Sequence, residues 1–276
     1  QYLRLFDGVN SAIFFANPAS DGLANSILTI NPSACEFLSA SPAAYGFLTA
    51  PDPNATMTVQ GNLLKVPEGR ALSLVGGDLT IQSGILGDGT TQAANLQAPG
   101  GQINLVSVAS PGEVRLSNFQ PTPNINGASF TTMGTVTLKE GATLNVSGQL
   151  DEFGTPIGKG NSGTVFVRGG QLVMDASTIV ASTVGSVDGE RTAVDIQVSQ
   201  KVEFTNASAI ATLTFGSGRG GDVLLTAPSL TIENAPESIS TTTGGGGGFG
   251  GNLILNVGTV SLMGGSSIDA SSQLHN

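Results

Sequence analysis

Few side chains in this sequence can do acid–base or metal chemistry, and their spacing limits what they could do. The single cysteine, Cys35, excludes an internal disulfide framework and any CxxC metal site. The single histidine, His275, leaves His-based metal or triad chemistry almost nothing to work with. Carboxylates are more numerous but poorly placed. Asp151 and Glu152 are adjacent in QLDEFGTPIGKG, where alternation sends them to opposite sides. Asp175, Asp195, Asp222 and Asp269 recur near turns of successive units and are expected to form a solvated stripe along one side. Neither pattern is the facing carboxylate pair that glycoside hydrolysis needs.

Two glycine runs imitate ligand loops. Gly216, Gly218 and Gly221 spell GxGxxG, as do Gly246, Gly248 and Gly251. A dinucleotide site requires a helix after these glycines, so that its N-terminus meets the pyrophosphate. Strand-like DVLL and NLIL follow instead, so turn glycines are expected. The run GGGGGFGG also lacks the repeated Asp of calcium-binding β-roll repeats. Three Asn-x-Ser/Thr sequons, at Asn54, Asn145 and Asn206, are read as turn residues. No catalytic, cofactor-binding or metal-ligating residue is predicted, and the chain is not expected to be an enzyme.

Composition supports a scaffold. Charged residues are only 11% of the 276, while 39 glycines and abundant Ser, Thr and Asn suit many short strands joined by tight turns. A net charge of −10 argues against binding nucleic acid, whose phosphates need a basic surface. No apolar run approaches the length of a membrane-spanning helix, and no charged, then apolar, leader opens the chain. Both ends break off within a strand-like pattern, so the chain is expected to be cut from a longer polypeptide.

Residues 1–56 are predicted as an irregular β-rich segment. Its strands are expected at Tyr2–Phe6, Ile13–Phe15 and Ile27–Ile30, the last two stopped by Asn17-Pro18 and Asn31-Pro32. Phe37, Leu38, Tyr45, Phe47 and Leu48 are expected to cap the end of a core. From 57 to 117 apolar residues alternate: Met57/Val59, Leu64/Val66, Leu72/Leu74, Leu79/Ile81, Ile103/Leu105 and Val114/Leu116. That period of two is the strand signal. Residues 118–134 read as a loop, and 135–276 as a repeat array.

The repeat carries three short strands per unit, with starts at Val165, Ile196, Val223 and Leu253. The expected core is Val165, Val167 and Ile179, then Ile196, Val198 and Ile210, then Val223, Leu225 and Ile239, then Leu253, Leu255 and Ile268. Turns are expected at the glycine pairs Gly76-Gly77, Gly100-Gly101, Gly169-Gly170, Gly220-Gly221 and Gly250-Gly251. Three strands in about 30 residues predict an all-β, right-handed parallel β-helix. One such coil cannot offset its own ordering entropy, so stability must come from stacking.

The run VQGNLLKVPEGRALSLVGGDLTIQSG, followed by LQAPGGQINLVSVASPGEV, resembles the filamentous haemagglutinin family of bacterial exoproteins, which is well represented in cyanobacteria. GTVFVRGGQLVMDAST, GRGGDVLLTAPSLTIEN and GGNLILNVGTVSLMGGSSIDASS are similar to that family's degenerate repeats. The resemblance implies two-partner secretion through an outer-membrane transporter and display at the cell surface, with the helix as an adhesive stalk. Glycans or proteins of host or neighbouring cells would be its partners, and the chain would be monomeric. FANPAS and TINPSA lack the NPNL- and NPNG-type motifs of the family's secretion domain, which would then precede Gln1. The alternatives are a carbohydrate-active β-helix lyase or glycosidase, and a passive glycan-binding module with its ligand on loop 118–130 or 151–163.

Overall fold

The computed structural model describes residues 2–6, 11–15, 41–47, 56–115, 124–125, 130–244 and 246–273. Among them the chain is all-β. No helix there is long and apolar enough to cross a membrane. Strands β1 (Tyr2–Phe6), β2 (Ser11–Phe15) and β3 (Ser41–Phe47) come first. Strands β4 (Met57–Gln60), β5 (Leu63–Lys65) and β6 (Ala71–Gly76) make a first circuit. The second circuit is β7 (Leu79–Gln82), a small hairpin of β8 (Gly84–Ile85) and β9 (Thr91–Gln92), β10 (Asn95–Gln97) and β11 (Gln102–Ser107). The chain then leaves through β12 (Gly112–Arg115) and β13 (Asn124–Ile125). It returns at β14 (Thr135–Lys139), β15 (Thr143–Asn145), the hairpin β16 (Gln149–Leu150) and β17 (Pro156–Ile157), and β18 (Thr164–Asp175). Long and short strands then alternate: β19 (Thr178–Val180), β20 (Thr192–Thr205), β21 (Ala209–Thr214), β22 (Asp222–Glu233), β23 (Ile239–Gly244), β24 (Leu253–Met263) and β25 (Ile268–Gln273).

Two large parallel sheets gather these strands. The seven-stranded sheet runs β25-β23-β21-β19-β15-β10-β5, and the nine-stranded one runs β24-β22-β20-β18-β14-β7-β4 with β11 and β6 alongside. Each long strand serves two ladders. The first half of β18 pairs with β11, which in turn pairs with β6, while its second half pairs with β14. The register stacks like on like, with Ile179 beside Ile210, Ile210 beside Ile239 and Ile239 beside Ile268. Burial alternates along β14, β19, β21 and β23, while β11 and the first half of β18 are buried on both faces, and inward residues of the ladders form one apolar cluster. Parallel pairing with both partners in register is possible only when the chain returns at a near-constant interval. The interval is 30 residues from Val223 to Leu253.

Nine of the predicted core residues are buried in that cluster: Val165, Val167, Ile179, Ile196, Val198, Ile210, Val223, Leu225 and Ile239. Leu253, Leu255 and Ile268 pack against it but remain partly exposed, because no described strand lies beyond β24 and β25. Gly169 and Gly170 lie inside the continuous strand β18, where the register against β20 shifts. The corner there is a bulge that bends one strand rather than a turn that separates two. A second corner uses left-handed backbone. Glu140, Ala176, Asn206 and Asn234 all have φ between 47° and 58°, and Gly264 has 63°. Each follows the last residue of its strand, so this column is a stacked αL turn.

Two short strands depart from expectation: β12 lies within the coils expected over 57–117, and β13 within the loop expected over 118–134. β12 and β13 join β3, β1 and β2 in a five-stranded antiparallel sheet of order β13-β12-β3-β1-β2. Val114 therefore belongs to that sheet and not to a ladder, while Leu116 lies outside the described residues. Phe47, Val106, Val108 and Val114 form a second apolar cluster, with Tyr45, Val75, Phe130 and Met133 packed against it. Val75 and Val106 come from adjacent ladder strands, so the antiparallel sheet is docked on the outside of that ladder. Tyr45 and Phe47 thus cover a side of the stack, and the phenol of Tyr45 is pushed up by burial. The predicted strand at 27–30, and Phe37, Leu38 and Leu48, lie outside the described residues.

The tightest corners are glycine on glycine. A Cβ at Gly251 would collide with the carbonyl oxygen of Gly221, one circuit earlier, and a Cβ at Gly163 with that of Gly101. Gly87 has open space around it and an ordinary φ. Gly251→Ala is expected to cost about 2 kcal/mol in urea unfolding, while Gly87→Ala stays within about 0.5 kcal/mol.

Candidate functional site

The carboxylates are the first candidates for chemistry, and the structure gives several of them main-chain donors. Asp222 Oδ1 accepts from the backbone N–H of Asn252 at 2.7 Å and from its Nδ2 at 3.0 Å, thirty residues on. Asp188 accepts from the backbone N–H of Arg219 at 2.8 Å. Asp78 takes Thr135 N–H at 2.8 Å, and Glu68 takes Lys159 N–H at 2.9 Å. Each acid ties its own circuit to a later one. A charged acceptor on a backbone N–H is stronger than a neutral one, so these contacts act as staples between circuits.

The expected stripe of Asp175, Asp195, Asp222 and Asp269 is broken up. Asp175 accepts from Asn206 Nδ2 at 2.7 Å and from Thr205 Oγ1 at 3.2 Å. Asp222 is nearly buried, Asp269 is exposed, and Asp195 is buried in an ion pair. That pair is the most enclosed charge cluster described. Arg168 Nη2 lies 2.7 Å from Asp195 Oδ2, and Nη1 lies 3.0 Å from Oδ1. Nη1 also donates to the carbonyls of Asp195 at 2.8 Å and Val167 at 3.0 Å. The guanidinium stands 5.5 Å over the ring of Phe166. Both terminal guanidinium nitrogens and both carboxylate oxygens have partners, which fits a structural clamp between β18 and β20.

Asp151 and Glu152 sit in the tip of the β16–β17 hairpin. Asp151 Oδ1 accepts from the N–H groups of Phe153 at 2.9 Å and Thr155 at 2.7 Å, the geometry of a turn-forming aspartate. No group of three His, Cys, Asp or Glu able to hold a metal occurs among the described residues.

The glycine runs also spend their amides on neighbours. Gly218 N–H donates to Gly185 O at 3.1 Å, Gly248 N–H to Gly216 O at 3.1 Å, and Gly220 N–H to Phe249 O at 2.8 Å. Both runs lead into strands, β22 and β24, and not into helices. Of the other turn glycines, Gly76 ends β6, and Gly77 supplies the carbonyl that Ser107 Oγ binds at 2.8 Å. Gly100 has φ 55°, while Gly101 faces the backbone of Arg70. A Cβ at Gly220 would strike Thr214 Oγ1, and one at Gly221 the carbonyl of Glu190. One at Gly250 would stand 2.9 Å from Thr243 Oγ1.

Among the sequons, Asn206 is held by Asp175, and Asn145 Oδ1 accepts from Ser147 N–H at 2.9 Å. Asn54, Cys35 and His275 lie outside the described residues. The staples Glu68, Asp78 and Asp188 escaped sequence reasoning. Asp78 has a local signal, an acid at a strand entry, as has Asp222 at the start of β22, while Glu68 and Asp188 lie in connecting segments and have none, since the partner lies far along the chain.

Replacing either member of the buried pair, as Arg168→Met or Asp195→Asn, is expected to cost about 3–5 kcal/mol by chemical denaturation. Replacing both together should cost less than the two singles summed, because no buried charge is then left alone. A second prediction concerns Glu140, whose carboxyl is held below the usual range chiefly by the hydroxyl of Ser83 at 2.7 Å, with Lys139 adding to it. A lowered carboxylate pKa contributes stability above the unfolded pKa that is lost as pH falls through the folded one. Ser83→Ala should therefore move the Glu140 titration upward, read by carbon-detected NMR.

Compared with protein-family models, characterised proteins and solved structures, the chain matches none.

Proposed function

We propose that this chain is a scaffold segment of a secreted, cell-surface exoprotein of the filamentous haemagglutinin type. In this reading the three ladders are the faces of a right-handed parallel β-helix, and the helix is the stalk of an adhesin. The observation that carries it is the continuous parallel ladder β5-β10-β15-β19-β21-β23-β25, which keeps its register over a single apolar cluster. Stacked units of this kind are stable only together, which suits an elongated spacer.

Support comes also from the acids. Glu68, Asp78, Asp188 and Asp222 act as inter-circuit staples, of the kind a rigid rod would use. The sequence runs around Gly76-Gly77 and Gly100-Gly101 carry the likeness to the family. Export would proceed unfolded through an outer-membrane transporter of the two-partner kind. Circuits adding one by one outside the cell would draw the chain outward, since each closes its ladder on the previous one.

Deleting residues 165–255 from the full-length protein in its host is expected to abolish surface display, measured by antibody labelling of intact cells. Surface display that stays at the level of the intact protein would overturn the export role.

A further inference from the structure

The outer face of the seven-stranded sheet is nearly free of charge. Its central row begins at Lys65 on β5, passes through Asn145, Val180 and Ala211, and ends at Asp269 on β25. We propose that this face is the interface of a dimer, in which a second copy of this chain packs face to face with its stack reversed. The inference goes beyond the scaffold reading and does not rest on it. It departs from the monomer that the family resemblance implies.

Charge sets the arrangement. Lys65 and Asp269 are exposed, and neither makes an ion pair among the described residues. The outward positions between them on these strands are uncharged. Each of the two lies three strands from β19, in opposite directions. A two-fold axis along β19 therefore brings Lys65 of one copy to Asp269 of the other at both ends, with Val180 at the centre. Stacks packed in the same direction would set Lys65 against Lys65 and Asp269 against Asp269. Complementarity selects the reversed arrangement.

Other faces of the stack are less suited. The antiparallel sheet is docked on the ladder of β6 and β11. The second halves of β18, β20 and β22 carry Asp175, Lys201, Glu203 and Glu233. Two chains of net charge −10 repel where such acids meet, and an uncharged face avoids this. The seven-stranded sheet also offers apolar contact. Val180, Ala211 and Leu213 lie near its middle, and Phe215 is 52% exposed beside them. The Phe215 ring rests on Gly244, where a Cβ would stand 3.0 Å from its Cδ1. Thr178 and Thr242 supply the polar margin that interfaces show. Seven strands at about 4.8 Å, with three outward residues at about 6.7 Å, make roughly 650 Å² per copy. About 1,300 Å² in all is the lower end of specific interfaces, so a weak dimer is expected.

The test is sedimentation velocity of the 276-residue chain from about 5 to about 500 µM. A dimer half-formed near roughly 100 µM is expected. Lys65→Asp and Asp269→Lys each set like charges facing at both ends, and each should weaken the dimer about tenfold. The double variant restores both pairs and should return to within about threefold of the original. Val180→Glu, with two carboxylates meeting at the axis, should leave a monomer. Glu233→Lys changes net charge as Asp269→Lys does, but lies on the other sheet, and should leave the dimer unchanged. Melting temperatures within about 3 °C across the variants separate loss of the interface from loss of the fold. A monomer at every concentration, a dimer indifferent to Asp269→Lys or Val180→Glu, or a double variant that stays weak would each overturn the proposal. Copies adding end to end through the edges at β4 and β24 would grow past two and ignore Val180→Glu, which overturns it equally.

Discussion

Every strand of the stack depends on the parallel backbone ladder to its neighbour. A circuit has its N–H and C=O groups directed along the stacking axis, so it cannot satisfy them within itself. Each circuit therefore supplies the acceptors that the next requires, and a buried unpaired amide costs as much as a lost hydrogen bond. Other features can be read as consequences of that demand. The return interval near thirty residues keeps the ladder in register. The glycine corners bring backbones close enough to continue it, as at Gly221 and Gly251. The left-handed column through Asn206 and Asn234 repeats because the same corner must be turned in each circuit.

Polar side chains are recruited to the same task where the backbone falls short. Asp78, Asp188 and Asp222 each take an N–H that a corner would otherwise leave unpaired. Buried serines do similar work. Ser177 donates to the carbonyl of Leu138 at 3.1 Å, and Ser238 to that of Ser267 at 2.7 Å. At these corners charge extends main-chain pairing. The Arg168–Asp195 clamp over Phe166 is its most enclosed form, where two ions, two carbonyls and a ring meet across neighbouring strands.

Side-chain alternation was legible because it is a local property. Val165 and Val167 point inward by the two-residue period alone, and so do Val223 and Leu225. Repeats near thirty residues were legible for the same reason, since each unit repeats the same alternation. What was not legible are features whose cause lies in another circuit. Gly169-Gly170 reads as a turn, yet the neighbours of β18 hold it as one bent strand with a register shift. Val114 alternates like a ladder residue, yet β12 pairs with β3 from the other end of the described chain.

The sequence by itself determined the alternation, the return near thirty residues and the inward residues of the repeat array, because these follow from backbone period and apolar pattern. The register differs by one inward position, since Val165 pairs with Val194 and not with the expected unit start Ile196. Tertiary structure alone decided which acids become staples, since Asp222 and Asn252 meet only when two circuits stack. It also decided that β12 and β13 leave the stack to join a second sheet, whose apolar cluster includes Phe47 and Val114. The physical reason is common to both. Hydrogen bonding and burial at these positions are settled by partners thirty or more residues away, and no window of local sequence contains them.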